Sequence, residues 1–485
     1  MDYQQSLDYL HHLIRFGWKP GLQRMDYLMK ALGNPEQSLA AVHVGGTNGK
    51  GSTCAMTTTV LREAGYRVAA FTKPHLQHWN ERMTIDGRHI PEEKVAELVT
   101  LLSGIVEGME AHGVDHATEF EVTTAAMFKY FADEHVDLSI VEVGLGGTLD
   151  STNVLPTPLA SVITNVAYDH MDILGSTISE IAGHKAGIIK PGGLVITESQ
   201  NPEVLRVIDR KVRENGARLW RVIPDGAEAG GVSDGGPPAA DVPEVRAEAV
   251  VTYRGLAVNR EGCRLDVTTP DATHHDLKVS LLGAHQMMNA ATAVAVITAL
   301  RRLGWEIDDE SLRRGLETAR WPGRLEVVQD DPLTIIDGAH NHDGAAVLRD
   351  AIERIFPDHR LTLVIGILAD KEISTVLNEL VPLAERVIVT RPDSSRAADP
   401  AVVAEEARRV AGVEAGAGRP APADITVIEK PESAVRRALE EAGRGSADPL
   451  APGGPRDPRP PLVLITGSLY LIGKIRGLWF DEVTW

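Results

Sequence analysis

The stretch that most constrains the fold is Val42-His-Val-Gly-Gly-Thr-Asn-Gly-Lys-Gly-Ser-Thr53. An apolar run ending near Val44 predicts a strand, a glycine-dense turn follows, and Cys54 to Ala64 predicts a helix closed by Gly65. A strand, a glycine turn and a helix with a lysine at its mouth form a cradle for phosphate. Backbone N–H groups and the helix dipole favour the anion, and Lys50 adds a point charge. The spacing departs from G-x-x-x-x-G-K-[ST], because Gly51 stands between Lys50 and Ser52 and the glycines lie closer together. The competing reading is a flexible turn with a surface lysine. The strand–helix context favours the phosphate reading.

A chain of 485 residues is too long for one ordinary core, so two or three domains are expected. With 43% apolar and 24% charged residues the composition is that of a soluble globular protein, and no apolar run reaches membrane-spanning length. Met1-Asp-Tyr-Gln-Gln5 has no basic, apolar leader character, and Cys54 and Cys263 are too few for a disulfide framework, so a cytoplasmic location is expected. The net charge of −19 argues against general nucleic-acid binding but not against small anionic substrates, which local cations decide.

From 41 to about 200, apolar runs at 41–44, 67–71, 137–143, 159–164 and 193–197 alternate with helical patterns near 52–64, 92–112, 121–134 and 177–187. The runs show little strict alternation, as expected of strands buried on both faces of a parallel sheet. Residues 224–246 read as an exposed insertion, 247–281 as an antiparallel extension, and 285–303 as a helix. A second α/β unit begins near Leu325, with strands at 333–336, 361–366, 386–390, 425–428 and 461–466, after the hinge candidate Arg320-Trp-Pro-Gly-Arg324. The expected division is therefore 1–322 and 323–485. Residues 411–424 and 442–460, rich in Ala, Gly and Pro, read as loops or disordered segments.

Ligands in such a sheet belong at the carboxyl ends of the strands. Glu142 ends a buried strand, where a carboxylate is costly unless it is paired or bound to a cation; Mg²⁺ and a salt bridge both satisfy it. His170, in Asn165-Val-Ala-Tyr-Asp-His170, is a second metal ligand or a packing residue. Lys185 lies late in a helix, where it would also complement the dipole. Asp337-Gly-Ala-His340-Asn opens the second unit with a turn and, with Arg324 at the hinge, would close over a nucleotide held by the first.

Ten segments occur in the order seen in one family: 43–52, 71–76 with Glu81-Arg82, 118–121, 142–147, 168–170, 185–190, 282–289, 321–324, 337–341 and 466–470. The chain resembles the folate-modifying branch of the Mur-type ligases, dihydrofolate synthase and folylpolyglutamate synthase, from about residue 7 to its end. Gly21-Leu22-Gln-Arg24-Met25 resembles that branch's pterin-side loop. The resemblance implies a Mur-ligase-like α/β fold, a P-loop parallel-sheet ATPase domain followed by a Rossmann-like domain. It implies ATP-dependent addition of L-glutamate to dihydropteroate or a reduced folate through an acyl phosphate, in a monomer that uses ATP, Mg²⁺ and, as a further candidate, a monovalent cation.

By the same resemblance Thr47, Asn48, Gly49, Lys50, Gly51 and Ser52 hold the triphosphate, and Ser52, Glu142 and His170 hold the metal. Asn289, Arg324, Asp337 and His340 hold the nucleotide from across the cleft. Gly21, Leu22, Thr118, Glu119, Phe120, Glu121 and Asp150 serve the substrate, and Lys50, His170 and Lys185 serve catalysis. Lys185 aligns with the family's carbamylated lysine. Three positions depart from the family pattern: Lys73 replaces a serine, Thr148 an arginine and His184 a glutamate. Two alternatives follow, a ligase of the same build acting on another carboxylate and a nucleotide-binding regulator that has lost ligation.

Overall fold

The computed structural model describes residues 1–17, 19–227, 247–443 and 458–481. Among them eleven strands form the first sheet: β1 (Ala41–Gly45), β2 (Val68–Phe71), β3 (Met83–Ile85), β4 (Arg88–His89), β5 (Leu138–Glu142), β6 (Ala160–Ile163), β7 (Leu194–Thr197), β8 (Arg218–Pro224), β9 (Ala249–Asn259), β10 (Gly262–Thr268) and β11 (Thr273–Val279). Their order is β11-β10-β9-β8-β7-β6-β1-β5-β2-β3-β4, parallel from β9 to β2 and antiparallel at both edges. The central strands β1, β2, β5, β6 and β7 are buried along their whole length, which is why their sequences lack alternation.

Register sets the site. Val44 pairs with Glu142 and Gly45 with Ile163, while Ile163 also pairs with Thr197. The carboxyl ends of β1, β5, β6 and β7 therefore lie level, and the segments that leave them meet along one edge. The helix Lys50–Glu63 leaves that edge with both faces covered. Thr53, Cys54, Met56, Val60 and Leu61 are buried in a core shared with the helices His285–Arg302 and Asp309–Thr318. The two N-terminal helices, Tyr3–Leu13 and Gln23–Ala31, pack in a separate core with Glu92–Glu107 and Glu119–Asp133.

The second sheet comprises β12 (Glu326–Asp330), β13 (Leu333–Ile336), β14 (Arg360–Ile365), β15 (Arg386–Val389), β16 (Asp424–Val427) and β17 (Pro461–Thr466), in the order β12-β13-β17-β14-β15-β16. It is parallel except for the β12–β13 hairpin, and it carries its own cores on both faces. The loop between the bodies, 319–325, passes beside the phosphate turn.

Two expectations are corrected. The helix after the glycine turn begins at Lys50, so Lys50, Gly51 and Ser52 form its first turn. Residues 411–416 are not loop but the end of the helix Pro400–Gly416; Val403, Ala404, Ala407, Val410 and Ala411 are buried in the second body's core, and that burial outweighs the poor helix propensity of glycine. Residues 228–246 of the expected insertion and 444–457 of the expected last loop lie outside the described residues.

Gly315 shows how tightly the phosphate-turn helix is held. A Cβ on Gly315 would lie 2.4 Å from Val60 Cα. Gly315→Ala is expected to destabilise the protein, since overpacking costs about 1–3 kcal/mol and alanine's helix advantage offsets about 1 kcal/mol at most. A lower denaturant midpoint with an unchanged slope is the expected reading; an unchanged midpoint would show that the two helices part freely.

Candidate active site

The turn after β1 is shaped by glycines that admit no side chain. Gly46 has φ +142°, and a Cβ there would lie 1.8 Å from Thr164 Oγ1. Gly49 has φ +90°, and its Cβ would lie 2.6 Å from Asn289 Oδ1. Gly51 lies under the Trp321 indole, where a Cβ would come within 2.4 Å of the ring. The unusual glycine therefore has a local cause: the loop that leads to the second sheet packs against the turn. Thr164 Oγ1 donates to the carbonyls of Gly45 and Asn48, and Thr47 N–H donates to Asn165 O at 2.6 Å, tying the turn to β6.

Lys50 Nζ donates to Gly46 O at 3.0 Å and Thr47 O at 2.9 Å, with Glu142 Oε1 4.0 Å away. Burial pushes the Glu142 carboxyl up, against the pull of Lys50, and Lys73 N–H donates to its Oε2 at 3.3 Å. Lys185 Nζ, almost wholly buried, donates to the same Gly46 carbonyl at 2.8 Å. Burial pushes Lys185 down to about 7, and the Lys50 ammonium pushes the same way. His170 takes a left-handed conformation, φ +52°, and its exposed imidazole stands with Nε2 4.0 Å from Asp169 Oδ2.

A cavity of about 570 Å³ opens above the turn. Thr47 to Ser52, Glu142, His170 and Asn289 line it from the first body, and Arg324, Asp337 and His340 from the loop and the second. All the residues expected to hold nucleotide and metal thus share one space. Asp337 accepts Leu325 N–H at 2.9 Å and Ala339 N–H at 2.7 Å, which fixes the turn that carries His340; burial pushes its carboxyl up against the pull of Arg324. His340 Nδ1 bonds to Gly338 O at 2.7 Å, and burial holds the ring down at about 4. Ser52 Oγ accepts from Gln286 Nε2 at 3.2 Å, and Gln286 Oε1 accepts from Asn289 Nδ2 at 2.8 Å.

Four lining residues escaped the sequence reading. Lys371 Nζ reaches across to Asp169 Oδ1 at 2.9 Å, an ion pair between the bodies made by residues 202 positions apart in the sequence. Gln286 lay within a quoted motif but received no role. Trp321 was read only as part of a hinge. Glu198 follows β7 as Glu142 ends β5, so the same signal, a carboxylate at the end of a buried strand, would have found it. It accepts from Thr292 Oγ1 at 2.6 Å and Asn165 N–H at 3.1 Å, and burial pushes it up to about 7.

The residues expected to serve the substrate gather elsewhere. Thr118 caps the helix Glu119–Asp133 in a capping box with Glu121, which also forms a buried ion pair with Arg24 at 2.9 Å. Gly21 and Leu22 lead into the helix that carries Arg24. Glu119 pairs with Arg82 at 2.7 Å, and Arg82 Nε donates to His75. Phe120 stacks on Phe71 and fills the space left by Gly144, whose Cβ would lie 2.3 Å from the ring. Asp150 accepts from Leu145 N–H and from Thr152 N–H and Oγ1, so its carboxylate shapes the turn that follows Glu142.

Residues 44–297 match the Mur ligase middle domain and 323–468 the Mur ligase glutamate ligase domain. The chain belongs to the Mur ligase family. Within it, this Mur ligase is 36% identical over 476 residues to a dihydrofolate synthase/folylpolyglutamate synthase of Bacillus subtilis, 98% of each chain being covered. It superposes with a TM-score of 0.82 and 31% identity on a folylpolyglutamate synthase of Mycobacterium tuberculosis complexed with ADP and AMPPCP, covering 100% of both chains. A folylpolyglutamate synthase bound to AMPPCP and folate matches with a TM-score of 0.76 and 30% identity, 99% of each chain being covered. Two of the ligase's departures from the family pattern touch: Thr148 N–H and Oγ1 both donate to His184 O, at 2.8 and 3.1 Å. Among the described residues no helix is long and apolar enough to cross a membrane.

The depressed Lys185 gives a pH signature. In the unfolded chain the amine titrates near its ordinary 10.5, in the folded protein at about 7. Between these values the unfolded chain holds more protons, so this lysine makes stability rise with pH from about 7 to about 10, by at most about 1.4 kcal/mol per pH unit. Lys185→Met removes the group. Unfolding free energies at pH 7, 8 and 9 are expected to show wild type gaining on the variant as pH rises; a constant difference would mean that the amine titrates as an ordinary lysine.

Proposed function

We propose that this protein is an ATP-dependent ligase that joins L-glutamate to dihydropteroate, to reduced folates, or to both. The observation that carries the reading is the shared cavity, in which a phosphate turn with Lys50 and Glu142 faces Arg324, Asp337 and His340 of the glutamate ligase domain. A carboxylate is a poor electrophile. Taking the γ-phosphoryl group of ATP makes it an acyl phosphate; the glutamate amine then attacks the carbonyl carbon, the C–O bond to phosphate breaks, and the amine loses a proton. Such a transfer needs positioning and charge neutralisation more than covalent help.

In this reading Thr47 to Ser52 bind the triphosphate through backbone N–H groups and the helix N-terminus, and Lys50 turns from the Gly46 and Thr47 carbonyls to the phosphates. Asn289, Arg324, Asp337 and His340 enclose the nucleotide, and division at 322/323 lets the two bodies shut on it. The donors suit Mg²⁺. Glu142 is a buried carboxylate whose ion-pair partner, Lys50, stands 4.0 Å away, Ser52 offers a hydroxyl, and His170 offers an imidazole. Mg²⁺ commonly takes one or two protein ligands and the rest from phosphate and water. When bound, Mg²⁺ would neutralise charge on the transferring phosphoryl group.

Lys185 is held close to its neutral form at pH 7, the form that adds carbon dioxide to give a carbamate and release a proton. The cluster of Gly21, Leu22 and Thr118 to Glu121 holds the pterin side, and Asp150 keeps the turn after Glu142 in shape. The enzyme works as a monomer in the cytoplasm.

The test is a product assay by mass, with dihydropteroate and tetrahydrofolate offered separately alongside ATP and glutamate. A gain of one glutamyl unit, with phosphate release that needs all three substrates, is expected. Lys50→Ala is expected to abolish both. Phosphate release without an amide product, or an amide only with a non-pterin acceptor, would overturn the reading.

A further inference from the structure

Lys73 has no part in the assignments above, yet with Pro74, Trp321, Arg324 and Leu469 it forms the wall that the nucleotide cavity shares with a small pocket of about 40 Å³. The residue is half-buried. Among the described residues no carboxylate lies within ion-pair distance of its ammonium, and its close partner is the Phe120 ring, 5.6 Å from Nζ to centroid. A part-buried ammonium without an acceptor is expensive to keep, and a ring face returns only part of the cost. Four charges face it: Asp150 and Glu142 attract it, Lys50 and Arg82 repel it. Asp150 is already engaged within its own turn, and Glu142 accepts the Lys73 backbone N–H instead.

We propose that Lys73 binds the reacting carboxylate of the acceptor and holds it between the phosphate turn and Phe120 during attack on the γ-phosphoryl group. The proposal rests on the ligase reading above. Three observations place the carboxylate here and not the triphosphate. Lys73 is off the phosphate turn, whose own N–H groups and Lys50 serve the phosphates. Phe120 belongs to the first turn of the helix whose cap, Thr118 with Glu121 and Arg24, makes up the acceptor-side cluster. The Lys73 backbone N–H donates to Glu142 Oε2, which sets the residue at the junction where the γ-phosphoryl group and the acceptor carboxylate would meet. The ring stays put because Gly144 leaves room for it on one side and Phe71 stacks on the other.

The experiment is calorimetric titration of the full-length protein, saturated with AMPPCP and Mg²⁺, with dihydropteroate and with its decarboxylated analogue, for wild type, Lys73→Met and Lys73→Arg. Wild type is expected to prefer the carboxylate form by about tenfold or more, the worth of one charge-assisted hydrogen bond. Lys73→Met is expected to lose that preference while binding AMPPCP within about twofold of wild type. Lys73→Arg is expected to retain most of the preference, which separates a charge contact from a packing role. The inference is overturned if Lys73→Met keeps the preference, or if it weakens AMPPCP and dihydropteroate alike. Wild type that binds dihydropteroate but yields no glutamyl product in the mass assay refutes the ligase reading and this inference with it; wild type that yields product while Lys73→Met keeps the preference refutes this inference alone.

Discussion

The carbonyl of Gly46 accepts from two ammonium groups, Lys50 at 3.0 Å and Lys185 at 2.8 Å, and much of the site follows from that contact. Two like charges can share one acceptor only if one is easily discharged. Lys185, buried and repelled by Lys50, is the one whose affinity for its proton falls to about 7. The contact also fixes the turn from beneath: Gly46 cannot carry a side chain against Thr164, Thr164 ties the turn to β6, and Lys185 ties it to the last turn of the helix Ile178–Lys185. A phosphate cradle must hold its N–H groups in place before the ligand arrives, and three separate elements meet here to do so.

The same economy of space couples the turn to the second body. Trp321 lies on Gly51, and Gly473, on the helix Leu469–Arg476, lies so close to Leu76 O that a Cβ would come within 1.9 Å of it. Arg476 donates to Gln77 Oε1 at 2.6 Å and to Glu326, and Lys371 pairs with Asp169. The segment 73–77 is thus wedged between the acceptor-side cluster and the second sheet, while the Asp169 pair closes the opposite rim. These contacts couple the acceptor-side segment to the second body, which suits a reaction whose acyl phosphate must be kept from water.

Much of this was legible in the sequence where a local pattern dictates the structure. The buried strands of the first sheet announced themselves by unbroken apolar runs, the phosphate turn by its glycines, and Glu142 by the cost of a carboxylate at the end of such a strand. The antiparallel edge β9–β11 was legible from alternation because one face of those strands is exposed. What escaped depended on distant partners. Residues 411–416 are helical because their neighbours Val403, Ala407 and Val410 face the second core, and no propensity scale sees that. Asp150 enters the sequence reading only by resemblance, and only the fold shows both its oxygens engaged by their own turn. Lys371 meets Asp169 through tertiary structure alone.

The charge of the whole chain misleads about the site. Against a net charge of −19, five cations (Lys50, Lys73, Arg324, Lys371 and Arg396) line the cavity with five carboxylates (Glu142, Asp169, Glu198, Asp337 and Asp343). The carboxylates are not equivalent. Burial pushes up Glu142, Glu198 and Asp337, each of which accepts backbone N–H groups, while His170 and Lys371 more than offset burial at Asp169 and hold it below the usual range. Of the three raised by burial, Glu142 and Glu198 stand beside the turn, where an arriving cation would be favoured. Opposite charges thus line the cavity in equal number, so a chain that is acidic overall is locally balanced where anionic substrates meet.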